Sequence, residues 1–483
     1  MYLPMGVLFS QGDIYRDFGF NNFPNLAVLL HLVFATIGGT DYLTLGRGLI
    51  FSGWLLAIGA IGLLAFRATR SVPAAAASML LLMTNQDLLG PAGMTVTNNF
   101  LPIPFALLGT WFFISAADRP DPRAGMFFLS GFSLAVAIGF KVNYVFLVPP
   151  FAVAVLIIHP VIGWRARLLT MGLPMLVGGI VGLLPVLSHL AHDPDGFLAH
   201  TIRYHRGPHI AYWMANPDLF GTKITSLPDK LRLAAKVWFS GGSGILITAA
   251  MAYCAILSAR GGRWRELVRW PIILVLSLTL CLGLISFLPT PAFPQYYVPP
   301  IPFAILLLAL LYGRCMGREH GATHFIVPSL VALAILLGTP RLLASLPSIA
   351  DPSRWTGQRV LDQSRTIAHR LAAGGRSPAL ATLAPIYALA GGMSVYPELA
   401  AGPLVYRVGD LIPAGDRIHY THLASPTTIG RVMAAHPPDG ILVGYEGPLD
   451  APFAEYARTN RYREVLLPEL RDRYGVGRLF LKR

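Results

Sequence analysis

The sequence predicts a polytopic α-helical membrane protein with a small α/β domain at its C-terminal end. Three observations lead to this fold class. Apolar runs of membrane-spanning length follow one another from Thr44 to Pro347, and they shorten to four or five residues after Asp351. The chain is 54% hydrophobic and only 13% charged, with a mean hydropathy of +0.56. Because a bilayer core admits only closed barrels or helices of roughly 20 apolar residues, the long runs indicate helices.

About ten helices of spanning length are predicted in this way. They are expected near residues 44–66, 72–89, 100–116, 125–139, 142–158, 169–190, 240–258, 271–289, 297–314 and 324–345. The chain then divides into an outer loop with an interfacial helix (1–43), a transmembrane domain (44–347) and an extracytoplasmic α/β domain (351–483).

The distribution of arginines predicts the orientation of these helices. One set of alternate loops is rich in arginine, and the short loops of the other set carry almost no Lys or Arg. The positive-inside rule therefore places the first set in the cytoplasm, and the N-terminal segment, the 191–239 loop and the C-terminal domain outside. The loop arginines are Arg67, Arg70, Arg119, Arg123, Arg165, Arg167, Arg260, Arg263, Arg265, Arg269, Arg314 and Arg318. Because these residues account for much of the net charge of +14, that charge does not indicate a nucleic-acid partner.

The C-terminal segment alternates short helical and β-rich runs. Helices are predicted at 355–373, 427–435 and 452–459, and strands at 379–383, 440–444, 462–467 and 478–482. Such alternation is typical of a small α/β layer structure. Since the segment has no Gly-rich phosphate loop, we expect a lid or an acceptor platform.

The N-terminal segment is polar up to Phe23, and the topology places it outside. Its first five residues are too short to span a bilayer, so we expect a preceding helix to be missing from this sequence. Residues 25–37 are predicted to form a helix that lies along the outer interface.

Polar residues that this topology places on the outer face are the candidate functional residues. They are Asp13, Arg16, Asp17, Asn98, Lys141, Arg203, His205, Gln295, Tyr296 and Tyr297. Structural alternatives remain open: Asp13 could cap the following segment, Asp17 could pair with Arg16 on the surface, and Lys141 could snorkel to the interface. The two tyrosines could be aromatic-belt anchors. The histidine-rich segment 200–209 suits either a metal site or a solvated loop that attracts anions.

Six short motifs follow one another in a characteristic order. They are Gly12–Phe18 (GDIYRDF), Asn22–Leu26 (NFPNL), Gly38-Gly39, Gly46-Arg47, Gly139–Lys141 (GFK) and Phe293–Pro302 (FPQYYVPPIP). As an ordered set, the motifs resemble those of the GT-C superfamily of polytopic glycosyltransferases, specifically its PMT/ArnT-like group. The resemblance extends over the whole membrane region, and an outer C-terminal domain also suits it.

The resemblance implies transfer of a sugar from a polyprenyl-phosphate carrier to a lipid, glycan or protein acceptor at the outer face of the bacterial inner membrane. A carboxylate, Asp17 or Asp13, would take the proton of the acceptor hydroxyl. Cations would neutralise the leaving phosphate, and a divalent metal ion remains open as a further partner. The cations implied are Arg16, Lys141, Arg203 and His205. Asn98, Gln295, Tyr296 and Tyr297 would line the lipid groove or the acceptor site.

Two departures from the family pattern concern its acids. The family carries an Asp or Glu just after its first transmembrane helix, and a second expected Asp is Asn98 here. The acid therefore lies upstream of Met1, or Asp13 or Asp17 takes its role, or the chain is inactive. Two other functions compete: a transporter or flippase of lipid-linked glycans, and a non-catalytic partner in envelope glycan assembly. The first is weakened because mid-helix positions are almost free of charge and no internal repeat is found.

Overall fold

The computed structural model describes residues 2–118, 123–158, 163–216, 225–259, 265, 267–315, 325–372, 377–472 and 474–483. Of the loop arginines named above, Arg119, Arg260, Arg263 and Arg318 lie outside these residues. The chain forms two compact units. The membrane unit comprises Leu49–Val186 and Thr222–Ile349, and the composite unit comprises Met1–Gly48, Leu187–Gly221 and Ala350–Arg483.

Helices dominate the chain between residues 42 and 343. Each of the ten predicted segments overlaps at least one of them. Apart from those of the segment 194–215, the described α-helices in this range are Tyr42–Thr69, Val72–Met83, Pro102–Ala117, Ala124–Phe140, Val148–Ile157, Trp164–Arg167, Leu173–Gly182, Leu184–His192, Leu227–Phe239, Ser243–Ala259, Trp270–Ile285, Pro300–Cys315 and Ile326–Leu343. Wider turns at Leu88–Ala92 and Leu168–Gly172 and 3-10 turns at Val142–Leu147 and Pro294–Tyr296 connect them.

Few of these helices are long enough to cross a bilayer alone. By length and hydropathy, two of the described helices qualify, Tyr42–Thr69 and Ile326–Leu343. The number rises to four if each of two bent pairs is one span: Trp164–Gly182 with Leu184–His192, bent by 63°, and Leu227–Phe239 with Ser243–Ala259, bent by 78°. The count of ten spans therefore stays a prediction.

Three predicted helices are interrupted. The segment predicted at 72–89 ends as an α-helix at Met83, and the wider turn Leu88–Ala92 that follows contains Pro91 and Gly90, which leaves helical geometry. The segment at 142–158 begins as a 3-10 turn before two prolines that open the helix Val148–Ile157. The segment at 169–190 bends at Leu183, two residues before Pro185, whose ring cannot continue a straight helix.

Close helix packing fixes the position of residue 141 in the membrane unit. The helices Ala124–Phe140 and Leu173–Gly182 approach so closely that a Cβ on Gly178 would lie 2.0 Å from the Phe128 carbonyl oxygen. Small residues allow such contact between helix backbones. On the other side, the Ser130 hydroxyl donates a hydrogen bond of 2.8 Å to the Gly109 carbonyl oxygen. The helix Ala124–Phe140 is thereby packed on two sides up to its end at Phe140.

Two helices open the composite unit. Asn25–Ile37 forms where the interfacial helix was predicted, and the helix Tyr2–Leu8, which was not predicted, packs against it. The contact is close, because a Cβ on Gly6 would lie 2.6 Å from the Leu30 Cβ. The unit also contains a helical run made of Pro194–Leu198, Ala199–Arg203, Tyr204–Arg206 and Pro208–Ala215.

The C-terminal part of the composite unit contains a five-stranded sheet. Its strands are β1 (Ala379–Ala381), β2 (Ser394–Val395), β3 (Gly440–Val443), β4 (Arg463–Asp472) and β5 (Gly475–Leu481). Their order is β2-β1-β3-β5-β4; β1 runs parallel to β2 and β3, and β5 runs antiparallel to β3 and β4. The four predicted strands are present, whereas β2 was missed because two residues carry no pattern.

Helices cover both faces of this sheet. Ile441 and Val443 belong to one buried cluster, with the helices Ile429–Ala435 and Ala451–Thr459. Leu442 belongs to the other cluster, with Thr356–Leu371 and Ile386–Ala390. A central strand buried on both faces is uniformly apolar, and this explains why Gly440–Val443 was predicted correctly. Short helical turns fill the connections at Leu346–Ala350, Pro352–Arg354, Pro397–Leu399, Pro403–Tyr406, Gly409–Leu411, Ala414–Arg417 and Gly447–Asp450.

Candidate active site

The two candidate acids lie in one tight turn of the composite unit, where their carboxylates accept different hydrogen bonds. Oδ1 of Asp13 accepts hydrogen bonds from the backbone N–H groups of Tyr15 (2.8 Å) and Arg16 (2.9 Å). Oδ2 of Asp17 accepts the N–H of Asp13 itself, at 2.9 Å. Asp13 therefore caps the turn, as its structural alternative proposed, and Asp17 closes the turn from the other end.

Tyr15 anchors this turn to the helical run that follows residue 187. Its ring is buried and packs edge-on against His189 and Phe197, at centroid distances of 5.1 and 5.3 Å. Its hydroxyl donates to the Asn22 carbonyl oxygen at 2.9 Å. The anchoring keeps the Asp13 carboxylate in a fixed place.

Asp13 lines an open cavity of about 330 Å³ within the composite unit. The other lining residues are Phe9, Gly12, Ile14, Ser188, His189 and His192. Asp17 does not belong to this lining. Of the two predicted acids, Asp13 and not Asp17 lines this open cavity.

Arg203 forms ion pairs with two carboxylates. Its guanidinium donates to Asp195 Oδ1 at 2.7 Å and to Asp416 Oδ1 at 2.9 Å. Asp195 also accepts a hydrogen bond of 2.8 Å from Nε2 of His419. This network joins the helical run to the segment 416–419 of the C-terminal domain. Two carboxylates already compensate the charge of Arg203, so the geometry favours a bracing role over the predicted binding of phosphate.

The histidines of the segment 200–209 are buried or half-buried, and burial lowers the pKa of each imidazole. Nε2 of His205 donates to the Asn21 carbonyl oxygen at 2.6 Å, and Nε2 of His200 donates to the His419 carbonyl oxygen at 3.1 Å. Burial lowers the pKa of His200 to about 4 and, with the nearby Arg407, lowers the pKa of His209 to about 3. Nε2 of His205 is thus already bonded to a backbone carbonyl oxygen, and the role of His205 as a phosphate ligand stays a prediction. Arg16 is exposed beside them and offers its carbonyl oxygen to the Thr421 N–H, at 2.8 Å.

A second group of predicted residues meets in the membrane unit. Lys141 follows the helix Ala124–Phe140, and its Nζ donates to Asn99 Oδ1 at 2.9 Å and lies 4.6 Å from the centroid of the Tyr296 ring. Both partners are uncharged. Burial lowers the pKa of Lys141 to about 7, because the ammonium has lost solvent.

The remaining predicted residues surround this cluster. Asn98 donates from Nδ2 to the Phe140 carbonyl oxygen at 3.2 Å, which ties the segment before Pro102 to the end of the helix Ala124–Phe140. Gln295 and Tyr296 are half-buried in the turn Pro294–Tyr296. Tyr297 is fully buried, and its carbonyl oxygen accepts a 2.8 Å hydrogen bond from Trp238 Nε1. Tyr297 is therefore a packing residue, and Tyr296 is the tyrosine beside the lysine.

The structure thus gathers the predicted residues into two groups, one in each unit. Several members were missed by sequence reasoning: His189, His192, Asp195, Asn99, Asp416 and His419. The spacing His189-x-x-His192-Asp193-x-Asp195 was a signal, because it is the most polar part of an otherwise apolar stretch. Across the described residues, no group of three or more His, Cys, Asp or Glu side chains is arranged to hold a metal ion.

Comparison with known proteins finds a similarity to one family in the first part of the chain. Residues 27–192 match the family model of the dolichyl-phosphate-mannose-protein mannosyltransferases. The matched region includes Asn99, Lys141, His189 and His192. No curated protein sequence matches the chain.

Solved structures extend the similarity to the whole fold. A crystal structure of ArnT from Cupriavidus metallidurans bound to undecaprenyl phosphate matches with a TM-score of 0.61 and 15% sequence identity, over 99% of this chain and 92% of that one. The apo state of the same protein matches with the same TM-score and coverage at 12% identity. These matches confirm the predicted resemblance to the PMT/ArnT-like GT-C glycosyltransferases, which are integral membrane proteins.

Proposed function

We propose that this chain, which has the fold of ArnT and carries the protein mannosyltransferase signature over residues 27–192, transfers a sugar from a polyprenyl-phosphate carrier to an acceptor hydroxyl. Two chemically related lipids support the donor class. The family description names dolichyl phosphate, and the ArnT crystal contains undecaprenyl phosphate. Both are polyprenyl phosphates.

The environment of Lys141 is the observation that carries the proposal. The half-buried Lys141 has an amide oxygen and an aromatic face beside its ammonium, and no anion among the described residues balances the charge. A charge-assisted bond to a phosphate oxygen would supply that balance. We therefore propose that Lys141, with Tyr296 beside it, binds the donor phosphate and that Arg203 has a structural role.

The reaction requires a base as well as a cation. The acceptor oxygen attacks C1 of the sugar, the bond from C1 to the phosphate oxygen breaks, and the lipid phosphate leaves with the electron pair. A carboxylate takes the proton of the acceptor hydroxyl. Asp13 suits this task better than Asp17, because it lines a cavity and its carboxylate is held in place.

The location of the reaction follows from the arginine distribution. Arg-rich loops in the cytoplasm leave the segment that contains Asp13 and the C-terminal α/β domain on the extracytoplasmic side. A bacterial inner membrane is the setting that fits this arrangement.

Binding of undecaprenyl phosphate tests the proposal without any knowledge of the acceptor. The dissociation constant is measured for the full chain in lipid nanodiscs, with Lys141→Met as the test variant and Lys141→Arg as the variant that keeps the charge. Arg123→Gln, an exposed change away from Lys141, is the matched control. Loss of a charge-assisted bond of about 1.5–3 kcal/mol predicts affinity about 10- to 150-fold weaker for Lys141→Met. Unchanged affinity in a folded Lys141→Met protein would show that Lys141 only snorkels.

A further inference from the structure

We infer that the open cavity beside Asp13, defined by Phe9, Gly12, Asp13, Ile14, Ser188, His189 and His192, is the acceptor subsite and that it takes a saccharide ring. The inference rests on the proposed function and deepens it, because it selects a glycan from among lipid, glycan and protein acceptors.

The cavity has the size and the mixed lining that a sugar ring needs. Its volume of about 330 Å³ lies in the range of small-molecule sites, and it is open on one side. Phe9 and Ile14 supply apolar surface, whereas Asp13, Ser188 and the two imidazoles supply polar groups. A pyranose has the same two characters, with an apolar C–H face and a rim of hydroxyls.

Phe9 is a pre-positioned platform for the apolar face of such a ring. Its own ring is half-buried and packs against His31 at a centroid distance of 5.2 Å and a tilt of 30°. It also meets His189 edge-on at 6.4 Å. Nδ1 of His31 is bonded in turn to the Gly6 carbonyl oxygen at 3.2 Å. A ring held in this way loses little conformational entropy on binding.

Asp13 offers one oxygen to the rim of hydroxyls. Its Oδ1 is occupied by the N–H groups of Tyr15 and Arg16, which fix the carboxylate. Within the part of the chain that the structure describes, no hydrogen bond reaches its Oδ2. A sugar hydroxyl that donates to Oδ2 would be placed for removal of its proton by the Asp13 carboxylate.

The charge of the lining argues against the other acceptor classes. The cavity is lined by one carboxylate and two imidazoles, without a Lys or Arg among its lining residues. An anionic headgroup would be repelled by Asp13. An alkyl chain would cover Asp13 and both imidazoles without satisfying their hydrogen bonds, at a cost of roughly 1–3 kcal/mol for each buried polar group. A neutral, hydroxyl-rich ligand meets neither penalty.

Saturation-transfer NMR on the full chain tests this assignment directly. The probes are methyl α-D-mannopyranoside and methyl α-D-glucopyranoside, with a capped Ala-Thr-Ala peptide as the protein-type acceptor. Nanodiscs without glycolipid replace maltoside detergents, because those detergents carry the group under test. The variants are Phe9→Leu, which keeps apolar bulk but removes the platform, and His192→Gln. Phe51→Leu, at a phenylalanine 63% exposed in the helix Tyr42–Thr69, is the matched control.

We expect at least one methyl glycoside to bind the wild type and the Phe51→Leu control equally well. Phe9→Leu should weaken that binding by about three- to tenfold, the value of one aromatic contact. In transfer assays, Phe9→Leu and His192→Gln should raise KM for the acceptor and leave KM for the donor unchanged.

Two results would overturn the inference. One is saccharide binding that neither Phe9→Leu nor His192→Gln affects. The other is saturation transfer to the peptide and none to the glycosides, which would show that the protein binds the peptide instead. The proposed function fails separately. If the glycosides bind at Phe9 but no sugar leaves the polyprenyl phosphate, then the saccharide subsite is supported and the proposed transferase function is refuted. If sugar is transferred and the KM for the acceptor is unchanged in both variants, then the transferase function is supported and the subsite is refuted.

Discussion

The Lys141 ammonium lies 4.6 Å from the centre of the Tyr296 ring. The two residues are far apart in the sequence, and each was predicted separately, the lysine as a phosphate ligand and the tyrosine as part of a lipid groove. An aromatic face stabilises a cation without neutralising it. The contact therefore keeps the ammonium available for an anion.

Donor binding should weaken as the pH rises above 7. Burial lowers the pKa of Lys141 to about 7, so the free protein holds a neutral amine above that pH and must take up a proton when it binds a phosphate. We expect the dissociation constant of undecaprenyl phosphate to rise by about tenfold per pH unit above pH 7 in the wild type. Lys141→Arg, whose charge does not titrate in this range, should bind independently of pH between 7 and 9. A wild type that shows the same flat profile would contradict the role of Lys141.

The two acids of the first turn should differ in their effect on sugar transfer. Asp13→Asn keeps the size of the side chain and removes the base, and a loss of about 10²–10⁴-fold in kcat is expected. Asp17→Asn should retain most activity, because an amide oxygen can still accept the Asp13 N–H. Equal losses in both variants would show that the turn, and not the Asp13 carboxylate, limits the reaction.

Much of the fold was readable in the sequence, because its pattern is local. Apolar runs and loop arginines predicted where helices occur, and the run at Gly440–Val443 predicted a buried strand. Breaks inside the helices were missed, since the bend at Leu183 and the turn at Leu88–Ala92 depend on how single prolines and glycines are accommodated.

The candidate site was less predictable, because its contacts join distant segments. Sequence reasoning named both Asp17 and Asp13 as candidate bases, and only the structure shows which carboxylate caps the turn and lines a cavity. The predicted role of Arg203 could not be judged without Asp416, which lies in another domain of the sequence. Asn99, the partner of Lys141, carried no signal beside Asn98.

Arg203 should affect stability and not donor affinity. Arg203→Ala leaves Asp416, whose side chain is 19% exposed, without its guanidinium partner. We expect a destabilisation of about 1 kcal/mol, as for partly exposed ion pairs, seen as a lower thermal midpoint in nanodiscs. Arg203→Lys cannot bridge both carboxylates in the same way, so its thermal midpoint should lie between those of the wild type and Arg203→Ala. A loss of undecaprenyl phosphate binding with an unchanged midpoint would restore the predicted phosphate role.

Acid should loosen the helical run around His200. Its pKa is about 4 in the folded protein, mainly because of burial, against 6.5 when unfolded. The hydrogen bond to the His419 carbonyl oxygen and the charges of Asp13 and Asp193 oppose this shift, and the His419 imidazole adds to it. The neutral imidazole therefore contributes up to about 3 kcal/mol of stability, fully present above pH 6.5 and lost as the pH falls towards 4. Hydrogen exchange in residues 194–206 should accelerate from pH 6.5 to 4.5 after correction for intrinsic rates, and less so in His200→Gln. The same acceleration in both proteins would remove His200 as the cause.

Single-turnover conversion of a polyprenyl-phosphate sugar in sealed proteoliposomes tests the central claim most directly. The donor is undecaprenyl phosphate carrying a radiolabelled sugar, supplied with a crude envelope glycan fraction as acceptor, and the products are separated by solubility in organic solvent. The account predicts that label leaves the lipid and enters the glycan, that free undecaprenyl phosphate appears in equal amount, and that Asp13→Asn and Lys141→Met each suppress both products. An intact donor that merely moves to the other leaflet, equally in the wild type and both variants, would contradict the account and identify a lipid transporter.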